Sequence, residues 1–330
     1  MPNSNQRIGS LIETPLAASR SRSSWNDRFE YWERPASETE DAQIQRSAGM
    51  VQRALSNNAW LAREGVRVRP QGSYHNNTNV RQDSDMDLCA WHPGIRIMPE
   101  EGLSVDEVYR RLGYYTTGGM IPDIARDLRR EIGRALAAAF GPTNVLGGNK
   151  AFRVSAVPGS RADADVVPAV RLDYVFKRGS GLVYSLDQVE GVIIHAADGT
   201  QTLNFPQQHH DNGKAKRERT RHRFKRVVRT AKRLRDELVT LGLLGAGQAP
   251  SFLIESLVYA VEDGSFLYDE DRYGRVRRVL GRMSELLSNP FWTATAREIN
   301  EIKLLFHASQ PWAVADAQDF VGAALRRLET

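Results

Sequence analysis

Asp85 and Asp87 stand two apart in the stretch QGSYHNNTNVRQDSDMDL (residues 71–88), with Met86 between them and Leu88 after. On a strand that spacing sends both carboxylates to one face and the apolar pair to the other. Crowded anions repel unless a cation joins them. Oxygen-only ligands of this kind suit Mg²⁺, which binds through one or two carboxylates plus substrate phosphates. A third acid is available in RADADVVPAV, where Asp163 and Asp165 alternate with Ala164 and Val166; period-two spacing does not separate these two. Upstream, Gly72 lets backbone approach a ligand closely, and Ser73 with neighbouring N–H groups can bond phosphate oxygens. Eleven residues lie between Ser73 and Asp85, a connector that can return the chain to an adjacent strand and set a phosphate cradle beside a metal site. Singly, the two acids read as the wet face of a strand and the Gly-Ser as a turn. Their combination carries the chemistry.

The elements that must position these groups follow from periodicity. Ile44, Ala48, Val51 and Leu55 predict a helix over Thr39–Asn57, and Ile124, Leu128, Ile132, Leu136 and Phe140 predict another between Asp123 and Phe140, behind Pro122. Strands are expected at Val66–Arg69, Asp85–Trp91, Ala151–Val157, Ala162–Val167, Leu172–Phe176 and Gly191–Ala196, the last entering an Asp198-Gly199 turn. After Gly213 the pattern becomes helical, over Arg217–Leu241, Ser251–Val261, Asp271–Leu287, Ala296–His307 and Ala315–Leu328. This is an α/β lobe with a mixed sheet followed by an α-helical lobe, with a ligand cleft expected between them. The expected divisions are a loose arm at 1–24, the mixed lobe with an N-terminal helix at 25–212, and the helical lobe at 213–330.

The 330 residues are 41% hydrophobic and 26% charged, with a net charge of +5, which is ordinary for a soluble globular protein. No apolar run is long enough to span a membrane and no secretory signal opens the chain, so a cytoplasmic protein is expected. Cys89 is the only cysteine, which excludes an intrachain disulfide and a cysteine-based zinc cluster and reads as a buried strand residue. His209 and His210 lack a partner at ligand spacing and are expected in a loop, and the GGN at 147–149 reads as a turn before a strand.

Basic residues concentrate in Lys214–Arg235, which holds twelve. Phe224, Val227, Val228, Ala231, Leu234 and Leu238 form an apolar stripe, and Lys225, Arg229 and Lys232 line up beside it as a cation row able to face a cleft. Arg223 and Arg233 read as surface charge. Pro250 and Ser251 open the next helix, with Ser251 as the expected N-cap and Phe252 in the first turn. Asn204, in DGTQTLNFP, either starts the turn into Pro206 or offers a donor and an acceptor to a base.

The order Gly-Ser, loop, D-x-D and later D-V-V-P resembles the polymerase-β-like nucleotidyltransferases. Within them, QGSYHNNTNVRQDSDMDL with DADVVPA is similar to the bacterial CD-NTases, relatives of cyclic GMP-AMP synthase and oligoadenylate synthase. RFKRVVRTAKRLRDEL followed by APSFLIESLVYAV is similar to that family's C-terminal lobe, so the likeness covers roughly Gln71 to Ala260. The resemblance implies that Asp85 and Asp87 hold two Mg²⁺ ions, with Mn²⁺ as a substitute, and that Asp165 completes the site nearest the attacking hydroxyl, Asp163 competing for the role. It implies in-line attack of a ribose hydroxyl on the α-phosphorus of a nucleoside triphosphate, with pyrophosphate leaving. Gln71, Gly72 and Ser73 would serve the nucleotide. Lys232 matches a triphosphate-contacting lysine, with Arg229 beside it; Ser251 would contact the triphosphate, and Phe252, where tyrosine is frequent in relatives, would stack on a base.

The expected activity is synthesis of a cyclic dinucleotide, or a related cyclic oligonucleotide, as a second messenger in bacterial anti-phage (CBASS) signalling. UTP and ATP are the favoured substrates, a downstream effector senses the product, and nucleic acid is not required. A linear oligonucleotide synthase or an NMP transferase to another acceptor would keep the same carboxylates. A nucleic-acid-binding module built on the basic helix is the non-enzyme alternative.

Overall fold

The computed structural model describes residues 21–80, 85–113, 121–180 and 183–329. Of these, 36–77 and 85–210 form one compact unit, and 21–35, 78–80 and 211–329 form another. The order is α1 (21–32), α2 (Glu38–Ser56), α3 (Ala59–Arg63), β1 (Arg67–Pro70), α4 (Gly72–His75), β2 (Met86–Pro99), α5 (Val105–Leu112), α6 (Ile121–Phe140), β3 (Val145–Gly147), β4 (Phe152–Val154), β5 (Ala164–Ser180), β6 (Val183–His195) and β7 (Gln201–Asn204). The helices α7 (Pro206–Arg219), α8 (Arg223–Thr240), α9 (Ser251–Ala260), α10 (Arg272–Leu287), α11 (Pro290–Thr295) and α12 (Val314–Leu328) follow. Among the described residues no helix is long and apolar enough to cross a membrane.

The mixed unit is organised around β5. Along one edge β5 runs parallel to β2; along the other it pairs antiparallel with β4 near its start and with β6 over the rest. β1 extends the sheet beyond β2, β3 beyond β4 and β7 beyond β6. The two separate strands expected over 162–176 are one strand, because Val167–Arg171 keeps pairing with β2, across a bulge between His92 and Ile95, and pairs with β6 from Val170 onward. One sheet face is roofed by α2 and α6: Ile44, Val51 and Leu55 meet Leu128, Ile132 and Leu136 over Met86, Leu88, Ala164 and Val166. A capping box of Ser37 and Glu40 starts α2, which satisfies two otherwise unbonded N–H groups. Cys89 is buried on the other face with Trp91, Val167 and Val192, and burial pushes its thiol up to about 12.

The helical unit closes around α8, whose Phe224, Val227, Val228, Ala231, Leu234 and Leu238 are all buried. Its boundaries differ from the expected ones. Residues 1–20 of the expected arm lie outside the described residues, but 21–24 already belong to α1. Trp25 and Phe29, one helical turn apart, are buried in this core, which draws 21–35 into the helical unit.

Three further expectations change. The helix expected over Arg217–Leu241 is two helices, broken at Thr220–His222, where Arg221 and His222 take positive φ. His209 and His210 lie inside α7 rather than in a loop. Residues 296–307 are not helical; a bridge between Arg297 and Leu304 and a positive φ at Glu301 bend the chain there.

Candidate active site

The Gly-Ser segment leaves β1 at Pro70, and the Gln71 N–H donates to the Asp87 carbonyl at 2.9 Å. Gly72 has φ +70° and lies against the Asp87 side chain. The expected turn is the single helical turn α4, which contains Ser73.

Asp87 and Asp165 are register partners across the parallel β2–β5 ladder, so their side chains leave the same face. Asp85, two residues before Asp87, points with them. All three are half-buried, while their strand neighbours Met86, Leu88, Ala164 and Val166 are buried under the helices. Alternation thus places the three acids on the face that α2 and α6 do not cover.

The environment separates the two acids that spacing left equivalent. Asp163 is anchored: its carboxylate accepts from Arg153 at 2.9 Å and from the Ala156 N–H at 2.8 Å, and its carbonyl accepts from the Met86 N–H at 2.9 Å. Burial opposes ionisation of Asp163, but the Arg153 and Ala156 hydrogen bonds outweigh it and hold the carboxyl below its ordinary value. Asp165 is shifted the other way. Burial first, then the charge of Asp85, raise its carboxyl, against the partial offset of Arg153.

Carboxylates gathered on one strand-built face, one of them raised by its neighbour's charge, are a donor set for a hard divalent cation. Among the described residues no three His, Cys, Asp or Glu side chains are already grouped as they would be around an ion. The fit therefore rests on the all-oxygen chemistry of Asp85, Asp87 and Asp165, and on the glycine that keeps backbone against Asp87.

Beside these acids is a small cavity of about 40 Å³ lined by Arg69, Gln71, Cys89, Trp91 and Glu190, among others. Arg69 lies 4.3 Å over the Trp91 ring and pairs with Glu190 at 3.1 Å. Gln71 Oε1 and Trp91 Nε1 are buried, and neither has a hydrogen-bond partner among the described residues. Asn204 ends β7 opposite Val192, and its Oδ1 accepts from the Phe205 N–H at 3.0 Å; this is the local turn role.

The remaining expected residues lie in the helical unit. Lys232 is 2% exposed, and its Nζ donates to the Thr78 carbonyl at 3.0 Å and to Glu255 at 3.2 Å. Thr78 Oγ1 donates to the same carboxylate at 3.0 Å. Arg229 is buried, with its Nε on the Glu33 carbonyl at 2.7 Å, and burial pulls its guanidinium down to about 10. Lys225 is also buried, and its ammonium is lowered to about 8. Ser251 is not the N-cap. Pro250 holds that position, and the Ser251 hydroxyl instead accepts from Arg235 at 3.3 Å. Phe252 stands 6.1 Å from the Trp312 ring.

Sequence reasoning missed Arg153, which separates Asp163 from Asp165, and Glu255, which holds Lys232. The second had a signal: an acid inside the apolar helix SFLIESLVYA needs a cation.

Residues 211–329 match the cGAS/DncV-like nucleotidyltransferase C-terminal helical domain of the CD-NTases. The chain is 33% identical over 300 residues to a cyclic dipyrimidine nucleotide synthase, CdnE, from Legionella pneumophila, covering 90% of this chain and 95% of that protein. It is 31% identical to a cyclic dipurine nucleotide synthase from Elizabethkingia meningoseptica, covering 88% and 93%. The Rhodothermus marinus CdnE c-UMP-AMP synthase, solved with Apcpp and Upnpp, shares the fold at a TM-score of 0.73 and 24% identity, covering 91% of this chain and 94% of that one. With its acids on one face of a mixed sheet and a mainly helical second unit, the chain belongs to the CD-NTase family of nucleotidyltransferases.

Proposed function

We propose that this nucleotidyltransferase joins two nucleoside triphosphates into a cyclic dinucleotide in a Mg²⁺-dependent reaction, at Asp85, Asp87 and Asp165. The observation that carries the reading is the register pairing of Asp87 with Asp165, beside a glycine packed on Asp87. Bound Mg²⁺ supplies charge neutralisation on the attacking and leaving oxygens; Mn²⁺ is an expected substitute. Asp165, whose carboxyl is held above its ordinary value, is the acid assigned to the attacking hydroxyl. Gly72 and Ser73 serve the phosphates. Gln71 and Trp91 offer an unpartnered acceptor and donor to the edge of a base. Lys232, Arg229, Ser251 and Phe252 remain assigned to the triphosphate and its base.

UTP is proposed as a substrate in at least one position, with ATP the other favoured nucleotide. The Legionella relative is a dipyrimidine synthase and the Elizabethkingia relative a dipurine synthase, so base choice is a property to be measured in each member. Asn204 stays a candidate base reader through its Nδ2, since its Oδ1 serves the turn. The product is proposed to act in CBASS anti-phage signalling on a downstream effector in the cytoplasm. A nucleic-acid module on the basic helix is not favoured, because Lys225, Arg229 and Lys232 are buried.

The deciding experiment incubates purified protein with the four NTPs and Mg²⁺, treats with phosphatase and identifies products by mass spectrometry. A phosphatase-resistant cyclic dinucleotide containing uridine is expected. A linear product or NMP on another acceptor would replace the cyclisation reading, and the absence of pyrophosphate release would remove it.

A further inference from the structure

The helix-roofed face of the sheet carries a second cavity, unconnected with the chemistry proposed for the acids. Its volume is about 610 Å³, and it is lined by Ala125, Arg129, Phe152, His195 and Ala196 among others. That size lies within the range of small-molecule pockets. Val170 and Ile193 are register partners packed with Ala125 of α6; His195, two residues beyond Ile193, therefore shares their face, opposite Asp165.

The polar atoms here are unbalanced. Arg126 pairs with Asp123 at 2.8 Å and Arg130 with Asp127 at 2.7 Å. Arg129 has no carboxylate partner among the described residues. Its Nη2 donates to the Gly148 carbonyl, and the guanidinium lies 4.9 Å over the Phe152 ring. Its Nη1 is buried without a hydrogen-bond partner, as is His195 Nε2. Burial, then Arg96, lower the His195 imidazole from its ordinary value, which favours the neutral ring, able to donate from Nε2 in one tautomer. Arg129 Nη1, an unmet donor, and His195 Nε2, an unmet ring nitrogen, belong to two residues that line one roomy cavity, and buried polar atoms cost free energy until a partner reaches them.

We propose that this cavity binds a small organic phosphate, with phosphate oxygens accepting from Arg129 Nη1 and His195 Nε2 and the organic body against Ala125, Phe152 and Ala196. A charged guanidinium N–H favours such an oxyanion, and the alanine and phenyl surface favours a ligand larger than a bare ion.

Calorimetric titration of the full-length protein tests this with D-ribose 5-phosphate, inorganic phosphate and ribose. Ribose 5-phosphate is expected to bind wild type and the Asp85→Asn/Asp87→Asn variant alike, inorganic phosphate more weakly, and ribose not at all. Arg129→Gln and His195→Phe are each expected to weaken ribose 5-phosphate at least tenfold. Arg129→Lys, which keeps the charge and loses the Nη1 donor, should give an intermediate loss and serves if Arg129→Gln does not fold. No binding by wild type, equal affinity in the Arg129 and His195 variants, binding that disappears with Asp85 and Asp87, or inorganic phosphate binding as tightly as ribose 5-phosphate would each overturn the assignment.

Discussion

A β-carbon on Gly72 would fall 1.9 Å from Oδ2 of Asp87. Backbone is thus held against a carboxylate assigned to metal, in a conformation of positive φ that only glycine takes without strain. Gly72→Ala is expected to cost about 1–2 kcal/mol for the left-handed conformation alone and to push the Asp87 carboxylate aside. Melting temperature and pyrophosphate release should fall together. A variant that melts lower yet keeps its turnover would separate this packing from catalysis.

Asp163 and Asp165 should respond in opposite directions. Asp165 pays a desolvation cost and repels Asp85. Its folded pKa is raised, so the folded state holds the proton more tightly, and stability is lost as pH rises from the unfolded to the folded value. Asp165→Asn is therefore expected to raise the melting temperature of the metal-free protein at neutral pH. It should also lower turnover by more than about 100-fold, the upper end of what losing even an outer-shell partner costs. Asp163→Asn gives up hydrogen bonds from Arg153 and Ala156, about 1 kcal/mol for a partly exposed group. It should melt lower and keep most of its turnover. The reverse ranking would move the third acid to Asp163.

Lys232 presents two roles to one experiment. Lys232→Ala takes the ammonium away from the buried Glu255 carboxylate, a loss of about 3–5 kcal/mol, whereas the pair that Arg233→Ala removes with Asp236 is long, at 3.9 Å, and worth about 0.5 kcal/mol or less. The double variant Lys232→Met/Glu255→Gln should recover most of the stability. If Lys232 also serves the triphosphate, the refolded double variant keeps a raised KM for NTPs; a normal KM would confine the lysine to architecture.

Lys225 makes stability depend on alkaline pH. Burial lowers its ammonium from the ordinary 10.5 to about 8. Between these values the unfolded chain is protonated at this site and the folded chain is not, so stability rises with pH. Lys225→Met is expected to be more stable than wild type at pH 7. Denaturant unfolding at several pH values should show that advantage shrinking from about pH 8 upward, and an advantage constant with pH would exclude titration of Lys225 as its source.

The fold was legible where apolar residues kept a period. The four-residue spacing from Ile124 to Phe140 marks α6, and the alternation of Asp85 to Leu88 marks the site face. It was illegible where the buried positions are polar: α7 buries His209, Gly213 and Lys216, a helical stripe with no apolar signal. The break after α7 has neither glycine nor proline, since Arg221 and His222 themselves take positive φ. At the site, the choice between Asp163 and Asp165 depends on Arg153 in β4 and the loop N–H of Ala156, which no local spacing reports.

The parallel pairing of β2 with β5 also sets when the centre comes into being. Everything from Glu100 to Asp163 is made between the strand that carries Asp87 and the strand that carries Asp165. A chain emerging from the ribosome thus holds its first two acids long before the third exists. Closing so long an intervening stretch is a slow, entropically costly event. Because the same strand then receives β4 on one part of its length and β6 on another, β5 cannot find all its neighbours until Val183–His195 has also been made. Nascent chains ending short of that strand carry the paired acids without a finished sheet, so capacity for nucleotide chemistry arrives late in synthesis.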